Sequence, residues 1–343
     1  MMRLPRFRYY APTSVREAVE RLAASPGDAM FVDGGTDLVP NMKRRQQCPT
    51  VLIGLRRIEE LKTIADGNGL TIGAAATLTS LLRYPHLCDT HRGLWQAAAH
   101  ISTPHLRNMG TVGGNLCLDT RCNYYDQNYE WRKAINFCMK KDGDTCWVAT
   151  SSPKCLAVSS TDLAPMLIAL GASVTLADAS GQRDVAVGDL YRNDGIYYLT
   201  RRPSELLTTV RVPDSRGWRS TYWKLRRRGS FDFPVLSIAA AVKRGPDGNV
   251  ETARIVLGAV ASAPLEIREA GALLVGRPLD DDAVEQAAEA VAKVGRPMDN
   301  TDFSLLWRKR VIRQFVTYAL HEIRGDDVRE VRRKLRTEDF IEI

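Results

Sequence analysis

The sequence predicts an α+β fold built in parts, and three observations carry that reading. Up to Val212, short apolar strand candidates and helical stretches interleave with Gly-rich loops. The run Pro213–Gly217 then breaks the pattern as a turn. Beyond it, three strand-like runs precede four helical ones, the order expected of an α+β domain. The expected division is residues 1–56, residues 57–216 with an insert at about 117–158, and residues 217–343. The last part should hold a three-stranded antiparallel sheet plus a helical bundle.

Taken in order, Ser14–Ala24 reads as a helix. Ser14-x-x-Glu17 fits a capping box, and Val15, Ala18, Val19 and Leu22 form one apolar stripe. Ala29–Val32, Val51–Ile53 and Leu70–Ile72 are short strands, the last entered from the turn-like Asp66-Gly67-Asn68-Gly69. Thr79–Tyr84 and Leu94–Ile101 are helical, and a Gly-rich loop follows at 110–114. Thr161–Leu170 is a capped helix stopped by Gly171. Ser173–Leu176 opens a hairpin turning at Ser180-Gly181, with Val185 and Val187 on the return, and Leu206–Val212 is a further strand. Tyr222–Arg226, Val235–Val242 and Ala253–Val260 are the later strands, followed by helices at 265–275, 281–294, 303–323 and 326–336.

The 343 residues carry a net charge of +8. Their basic residues are mixed with acidic ones and match no nucleic-acid motif. The runs Lys43–Arg45, Arg226–Arg228 and Arg332–Lys334 read as solvated faces or subunit contacts. No apolar stretch nears the roughly 20 residues of a membrane span. Met1–Arg6 lacks the apolar run of a signal peptide, so the cytoplasm is expected.

Glycine lets a ligand approach the backbone closely. Asp33-Gly34-Gly35-Thr36-Asp37 and Thr111-Val112-Gly113-Gly114-Asn115 could each present N–H groups to an anion, and together could grip two phosphates. Their spacing is not the single G-x-G-x-x-G turn of a dinucleotide fold.

Seven cysteines form an odd set, expected to be thiols or ligands rather than disulfides in a reducing compartment. Cys48, Cys88 and Cys117 are scattered and read as small buried hydrophobes. Cys122, Cys138, Cys146 and Cys155 cluster with the spacing C-x15-C-x7-C-x8-C. This matches neither a C-x2-C zinc pattern nor a ferredoxin pattern, and spacing alone favours structural zinc over iron. Trp131, Phe137 and Trp147 could shield such a centre. Residues 121–155 hold six basic and four acidic side chains, a local excess of two positive charges.

Four segments resemble the FAD-binding subunits of molybdenum hydroxylases. They are Gly34-Gly35-Thr36-Asp37-Leu38, Thr103–Asn108, Thr111–Asn115 and Ser160-Thr161-Asp162-Leu163. Lys224, and Gly258–Ala261 with Pro264, match further segments, in order from residue 5 to about 270. The resemblance implies the two-part FAD-binding fold of that family, with FAD held non-covalently. Phe31, Val32, Asp33, Gly34, Gly35, Thr36, Asp37 and Leu38, with Thr111, Val112, Gly113, Gly114 and Asn115, would bind it, mostly through backbone donors to the pyrophosphate. Ile101 and Leu207 would pack along the cofactor, Asp162 would accept from its hydroxyl or amine groups, and Lys224 would lie near the flavin. Any of several tyrosines could face the isoalloxazine.

The departure from the family is the insert. It resembles a branch whose flavin subunit carries an extra iron–sulfur cluster and whose complex reduces an aromatic thioester. That likeness moves the four cysteines from zinc to one [4Fe–4S] cluster, with Cys117 in reserve. It implies an oxidoreductase subunit without catalytic residues of its own. Ferredoxin would be the electron donor, and the partners would be a small [2Fe–2S] subunit and a large molybdenum-cofactor subunit in a dimer of heterotrimers. The rivals are a flavin subunit passing electrons to NAD or a quinone, and a zinc-stapled scaffold with empty Gly loops.

Overall fold

The computed structural model describes residues 3–229 and 231–337. Met1 and Met2 of the amino-terminal segment, and residues 338–343 of the C-terminal domain, lie outside the described residues.

Three sheets organise the chain. The first is parallel, with Arg8–Tyr10 and Ala29–Val32 flanking Val51–Gly54. Helix Val15–Ala23 covers it with Ala18, Val19 and Leu22, the stripe its spacing predicts. Ser14 Oγ accepts from Glu17 N (3.2 Å), but Glu17 Oε2 accepts from Thr13 N (3.0 Å), so the capping box closes one residue early.

The second sheet is antiparallel and five-stranded. Its order is Ile64–Gly67, Gly69–Gly73, Leu206–Val212, Ser173–Asp178, Gly181–Ala186. The hairpin turns at Ser180-Gly181 as expected, but Val187 begins a 3-10 turn rather than extending the return strand.

The third sheet comprises Trp218–Leu225, Leu236–Arg244, Val250–Gly258 and a two-residue edge, Leu265–Glu266. This edge makes four strands where three were expected. Leu265 and Glu266, read as helical, instead pair with Leu257 and Val256. An open sheet edge takes up backbone hydrogen bonds that a helix would otherwise make internally.

Side-chain alternation gives the third sheet two buried faces. Tyr222, Ala239, Ala241 and Val256 join the core of the second sheet. Trp223, Ile238, Ala240, Val242, Ile255 and Leu257 face helices Asp281–Val294 and Leu305–Arg324. Asp280 and Ser304 cap these helices, each accepting from the amide three residues on. The helix expected from 303 starts at Leu305, and those expected at 265–275 and 326–336 are Arg268–Ala272 and Arg329–Thr337. No helix among the described residues is long and apolar enough to cross a membrane.

The insert is a closed excursion. Arg121 and Val158 pair their backbones in both directions (2.8 and 2.7 Å), pinning its two ends together. Inside lies one short helix, Tyr129–Ala134. Beyond it the backbone turns through positive φ at Asn136, Phe137 and Asp142, on either side of Cys138.

Candidate functional site

The two Gly segments are brought together by backbone packing. A Cβ on Gly34 would be driven into the Met109 carbonyl, so only glycine lets the first loop lie against the segment leading into the second. Gly35 adopts φ +68°, where side chains other than glycine are strained. The second segment is stitched to the chain beyond Gly69–Gly73: Leu78 N donates to Gly110 O (2.9 Å), Val112 N to Ala76 O (3.0 Å), and Gly113 N to Ala74 O (2.8 Å).

These bonds correct the expectation of two equivalent anion-binding loops. Val112–Leu116 is a short helix capped by Thr111, whose Oγ1 accepts from Gly114 N (3.1 Å). Asn115 N donates to Thr111 O (3.0 Å). The amides of Gly113, Gly114 and Asn115 are therefore already spent. By contrast, no hydrogen bond among the described residues takes up the amides of Gly34, Gly35, Thr36 and Asp37. The first loop offers donors, and the second offers room. A Cβ on Gly114 would meet only the Thr111 hydroxyl, at 2.9 Å, and otherwise faces the cavity.

That cavity measures about 650 Å³, within the range of ~300–1,000 Å³ typical of small-molecule and cofactor sites. It is lined by Phe31 through Leu38, Ile101, Thr111, Gly113, Gly114, Asn115, Asp162, Leu207 and Lys224. Val112 is the exception. It is fully buried and belongs to the hydrophobic core, because the capped turn points it away from the cavity.

Asn115 joins the second loop to the third segment. Its Oδ1 accepts from Thr161 Oγ1 (2.7 Å) and Leu163 N (3.1 Å). Next to them Asp162 and Lys224 form a buried ion pair at 3.0 Å. Asp162 also accepts from Tyr222 Oη (2.7 Å), and Lys224 donates to His100 O (3.0 Å). Burial pushes the Asp162 carboxyl up and the Lys224 ammonium down, and each is partly held back by the other's charge. The pair fixes one charged corner of the cavity, whose wall carries a second ion pair, Arg121 with Asp37.

Sequence reasoning missed the cavity residues Asp119, Arg121, Tyr198, Phe231 and Phe233. They come from the insert and from loops, where no periodicity marks a burial face. Arg121 unites three regions: it pairs with Asp37 of the first loop, bonds Asn41 Oδ1 (3.2 Å), and lies 4.7 Å from the Phe233 ring centroid.

The four clustered cysteines are buried and line a second, smaller cavity. Tyr124, Tyr125, Met139 and Val148 share its wall, and Trp147 closes it while bonding Phe137 O (2.5 Å). Trp131 remains outside and exposed. One backbone amide bonds a sulfur, that of Ala157 at Cys155 (3.4 Å), while the amides of Tyr124 and Tyr125 favour the Cys122 thiolate and those of Val148, Ala149 and Leu156 the Cys146 thiolate. The hydrogen bond shared with Cys155 and these amides bring Cys146 down to about 5, and the same shared bond together with burial drives Cys155 up. Burial carries Cys122 to about 12. A pocket that supplies amide donors to sulfur suits thiolate ligands. Among the described residues, however, no three His, Cys, Asp or Glu side chains converge on a single metal point.

The remaining cysteines differ from expectation. Cys48 and Cys88 are exposed rather than buried. Cys117, the reserve ligand, lines the large cavity and not the cysteine cavity, because it caps the short helix after the second loop.

Comparison with known proteins agrees with this geometry. Residues 5–215 match the family described as the FAD binding domain in molybdopterin dehydrogenase. Residues 220–323 match the CO dehydrogenase flavoprotein C-terminal domain. The aldehyde oxidoreductase FAD-binding subunit PaoB of Escherichia coli (strain K12) is 31% identical over 331 residues, covering 91% of this chain and 98% of that one. The carbon monoxide dehydrogenase medium chain of Afipia carboxidovorans is 31% identical over 294 residues, covering 85% and 87%. Among solved structures, a Cu,Mo-CO dehydrogenase chain superposes with a TM-score of 0.78 at 27% identity, covering 94% of this chain and 99% of that one. Quinoline 2-oxidoreductase from Pseudomonas putida 86 gives 0.74 at 25%, covering 94% and 98%.

Proposed function

The chain belongs to the family of FAD-binding subunits of molybdenum hydroxylases, and on that premise we propose that it is the electron-relay subunit of a 4-hydroxybenzoyl-CoA reductase. The observation that carries the proposal is the adjacency of two cavities, one lined by the flavin segments and one by four buried cysteines.

The residues fit FAD. Free amides at Gly34–Asp37 would take the pyrophosphate, Gly114 leaves room beside it, and Asp162 and Lys224 supply a fixed acceptor and donor. They also fit a [4Fe–4S] cluster held by Cys122, Cys138, Cys146 and Cys155. All four are buried and line the one small cavity, where they would supply the cluster's thiolate ligands. When bound, FAD exchanges electrons singly or in pairs and a cubane one at a time, which links a one-electron donor such as ferredoxin to [2Fe–2S] and molybdenum centres on partner subunits. Dehydroxylation consumes two electrons and two protons per aromatic thioester and releases water. This chain's residues bind and insulate the carriers, and no substrate-transforming constellation is assigned to them.

The working unit is a dimer of heterotrimers with a large molybdenum subunit and a small [2Fe–2S] subunit, in the cytoplasm. The relatives' own names, medium chain and FAD-binding subunit, accord with partners of this kind. The same names favour a second reading, since they belong to an aldehyde oxidoreductase and a carbon monoxide dehydrogenase: a hydroxylase sending electrons outward to NAD or a quinone. Membership in a flavoprotein family sets aside the scaffold with empty Gly loops.

Anaerobic purification of the complex, with assays of FAD, iron, acid-labile sulfide and ferredoxin-driven reduction of 4-hydroxybenzoyl-CoA, tests the proposal. Turnover with reduced ferredoxin supports it. Zinc in place of iron and sulfide overturns the cluster, and aldehyde oxidation coupled to NAD or a quinone without thioester reduction overturns the direction.

A further inference from the structure

Between the two cavities stands one buried ion pair. Lys140 lines the cysteine cavity, Asp119 lines the large cavity, and their side chains meet at 2.8 Å, each only 6% exposed. We infer that the Lys140–Asp119 pair is the electrostatic partition that sets the reduction potentials of the two redox centres relative to one another. This inference rests on the proposed cluster and FAD.

Three features fit Lys140 for that position. Its ammonium is fully used: besides Asp119 Oδ1 it donates to Thr120 Oγ1 (2.8 Å) and Gly195 O (2.7 Å). It is also hemmed in by the rings of Tyr125 and Tyr198, with centroids at 4.8 and 5.6 Å. A charge so held cannot swing away to water. Gly195 ties the same network to the thiols. Its N donates to Cys155 O (2.9 Å), and a Cβ there would stand 2.6 Å from Cys155 Sγ. Any larger residue would push the carbonyl that holds Lys140 away from the sulfur.

Asp119 is held as firmly on its side. Its Oδ2 accepts from Tyr125 Oη (3.1 Å), and its backbone N donates to Asp37 Oδ2 in the first Gly loop (3.3 Å). The pair therefore has a fixed direction, positive toward the cysteines and negative toward the flavin cavity. Reduction adds one electron, supplied by a one-electron donor, and breaks no bond. It makes the thiolate-bound centre more negative by one unit, so a nearby cation raises its potential and a nearby anion lowers that of the flavin. The pair thus narrows the gap between a low-potential entry centre and the flavin. It eases entry of the electron from the donor at the expense of the second step.

Potentiometric titration of the purified holoprotein tests this, following the cluster by electron paramagnetic resonance and the flavin by visible absorbance. Lys140→Met should lower the cluster's equilibrium constant for one-electron reduction at least tenfold, ~59 mV, with FAD content unchanged. Lys140→Arg should restore it. Asp119→Asn, which removes the charge and keeps one acceptor oxygen, should shift both potentials upward, the flavin more than the cluster, and serves where Lys140→Met does not fold. Opposite signs for the two substitutions are not expected of a merely structural pair. Cluster present with both potentials unmoved overturns the partition alone. A parent protein with FAD but no acid-labile sulfide overturns the cluster proposal, and this inference with it.

Discussion

Asp162 and Lys224 meet at 3.0 Å across the junction between the flavin segments and the C-terminal sheet. Asp162 stands just before helix Leu163–Ala169, and Lys224 lies in strand Trp218–Leu225. The pair is buried and still borders the cavity, so it both joins the domains and presents charge to whatever occupies the cavity.

Removing one partner strands the other's charge. Lys224→Met should destabilise the protein by about 3–5 kcal/mol in denaturant unfolding, the range for breaking buried ion pairs. The double substitution Lys224→Met/Asp162→Asn should recover most of that loss while still weakening FAD binding. A single variant as stable as the parent would contradict the pair's structural role.

Flavin binding should depend on the open face of Gly114. Its φ is not in the left-handed region, so a side chain there obstructs the ligand and crowds the Thr111 cap without straining the backbone. Gly114→Val should reduce FAD affinity at least tenfold, about 1.4 kcal/mol, in a folded protein. Acid precipitation of the parent should release FAD rather than FMN. Unchanged flavin affinity in the variant would remove Gly114 from the site.

The four thiols should act as one set. Cys138→Ser should abolish most of the iron and acid-labile sulfide while FAD remains, since the two cavities have separate walls. Cys117→Ser should leave iron content unchanged, because Cys117 does not line the cysteine cavity. Iron lost from the second variant and not the first would reassign the ligands.

Glu322 should give the C-terminal domain a pH-dependent anchor. Burial pushes its carboxyl up, but Arg332, Thr221 and Gln96 outweigh burial and hold it below the usual glutamate value. A depressed carboxylate contributes stability above its ordinary pKa of about 4.3 that is lost as pH falls through the folded value. Glu322→Gln should therefore cost about 3 kcal/mol at neutral pH, as the ion pair between Glu322 and Arg332 is lost. The difference from the parent should shrink as pH falls below about 4. A difference independent of pH would show that packing, not charge, is lost.

Much of the architecture could be read along the chain because it rests on local rules. Ala29–Val32, Leu206–Val212 and Asp281–Val294 stand where apolar runs and periodicity put them. Strands Arg8–Tyr10 and Leu265–Glu266 could not be read, since each is fixed only by the partner strand it meets. Arg332 shows the same limit. It belongs to a basic run that reads as solvated, yet it packs 4.0 Å over the Trp223 ring and pairs with Glu322.

The sequence by itself determined the Gly-rich segments, the insert and the clustering of its four cysteines, because close backbone approach demands glycine and a thiol is supplied by cysteine whatever the surroundings. Only the tertiary structure decided which loop keeps its amides free, that Val112 turns into the core, and that Cys117 stands apart from the other thiols. It alone placed Lys140 against Asp119, residues 21 apart in sequence. The physical reason is that hydrogen bonds and burial are competed for in three dimensions. Residue type states what a group can donate or accept, and only the fold states which donors are already taken.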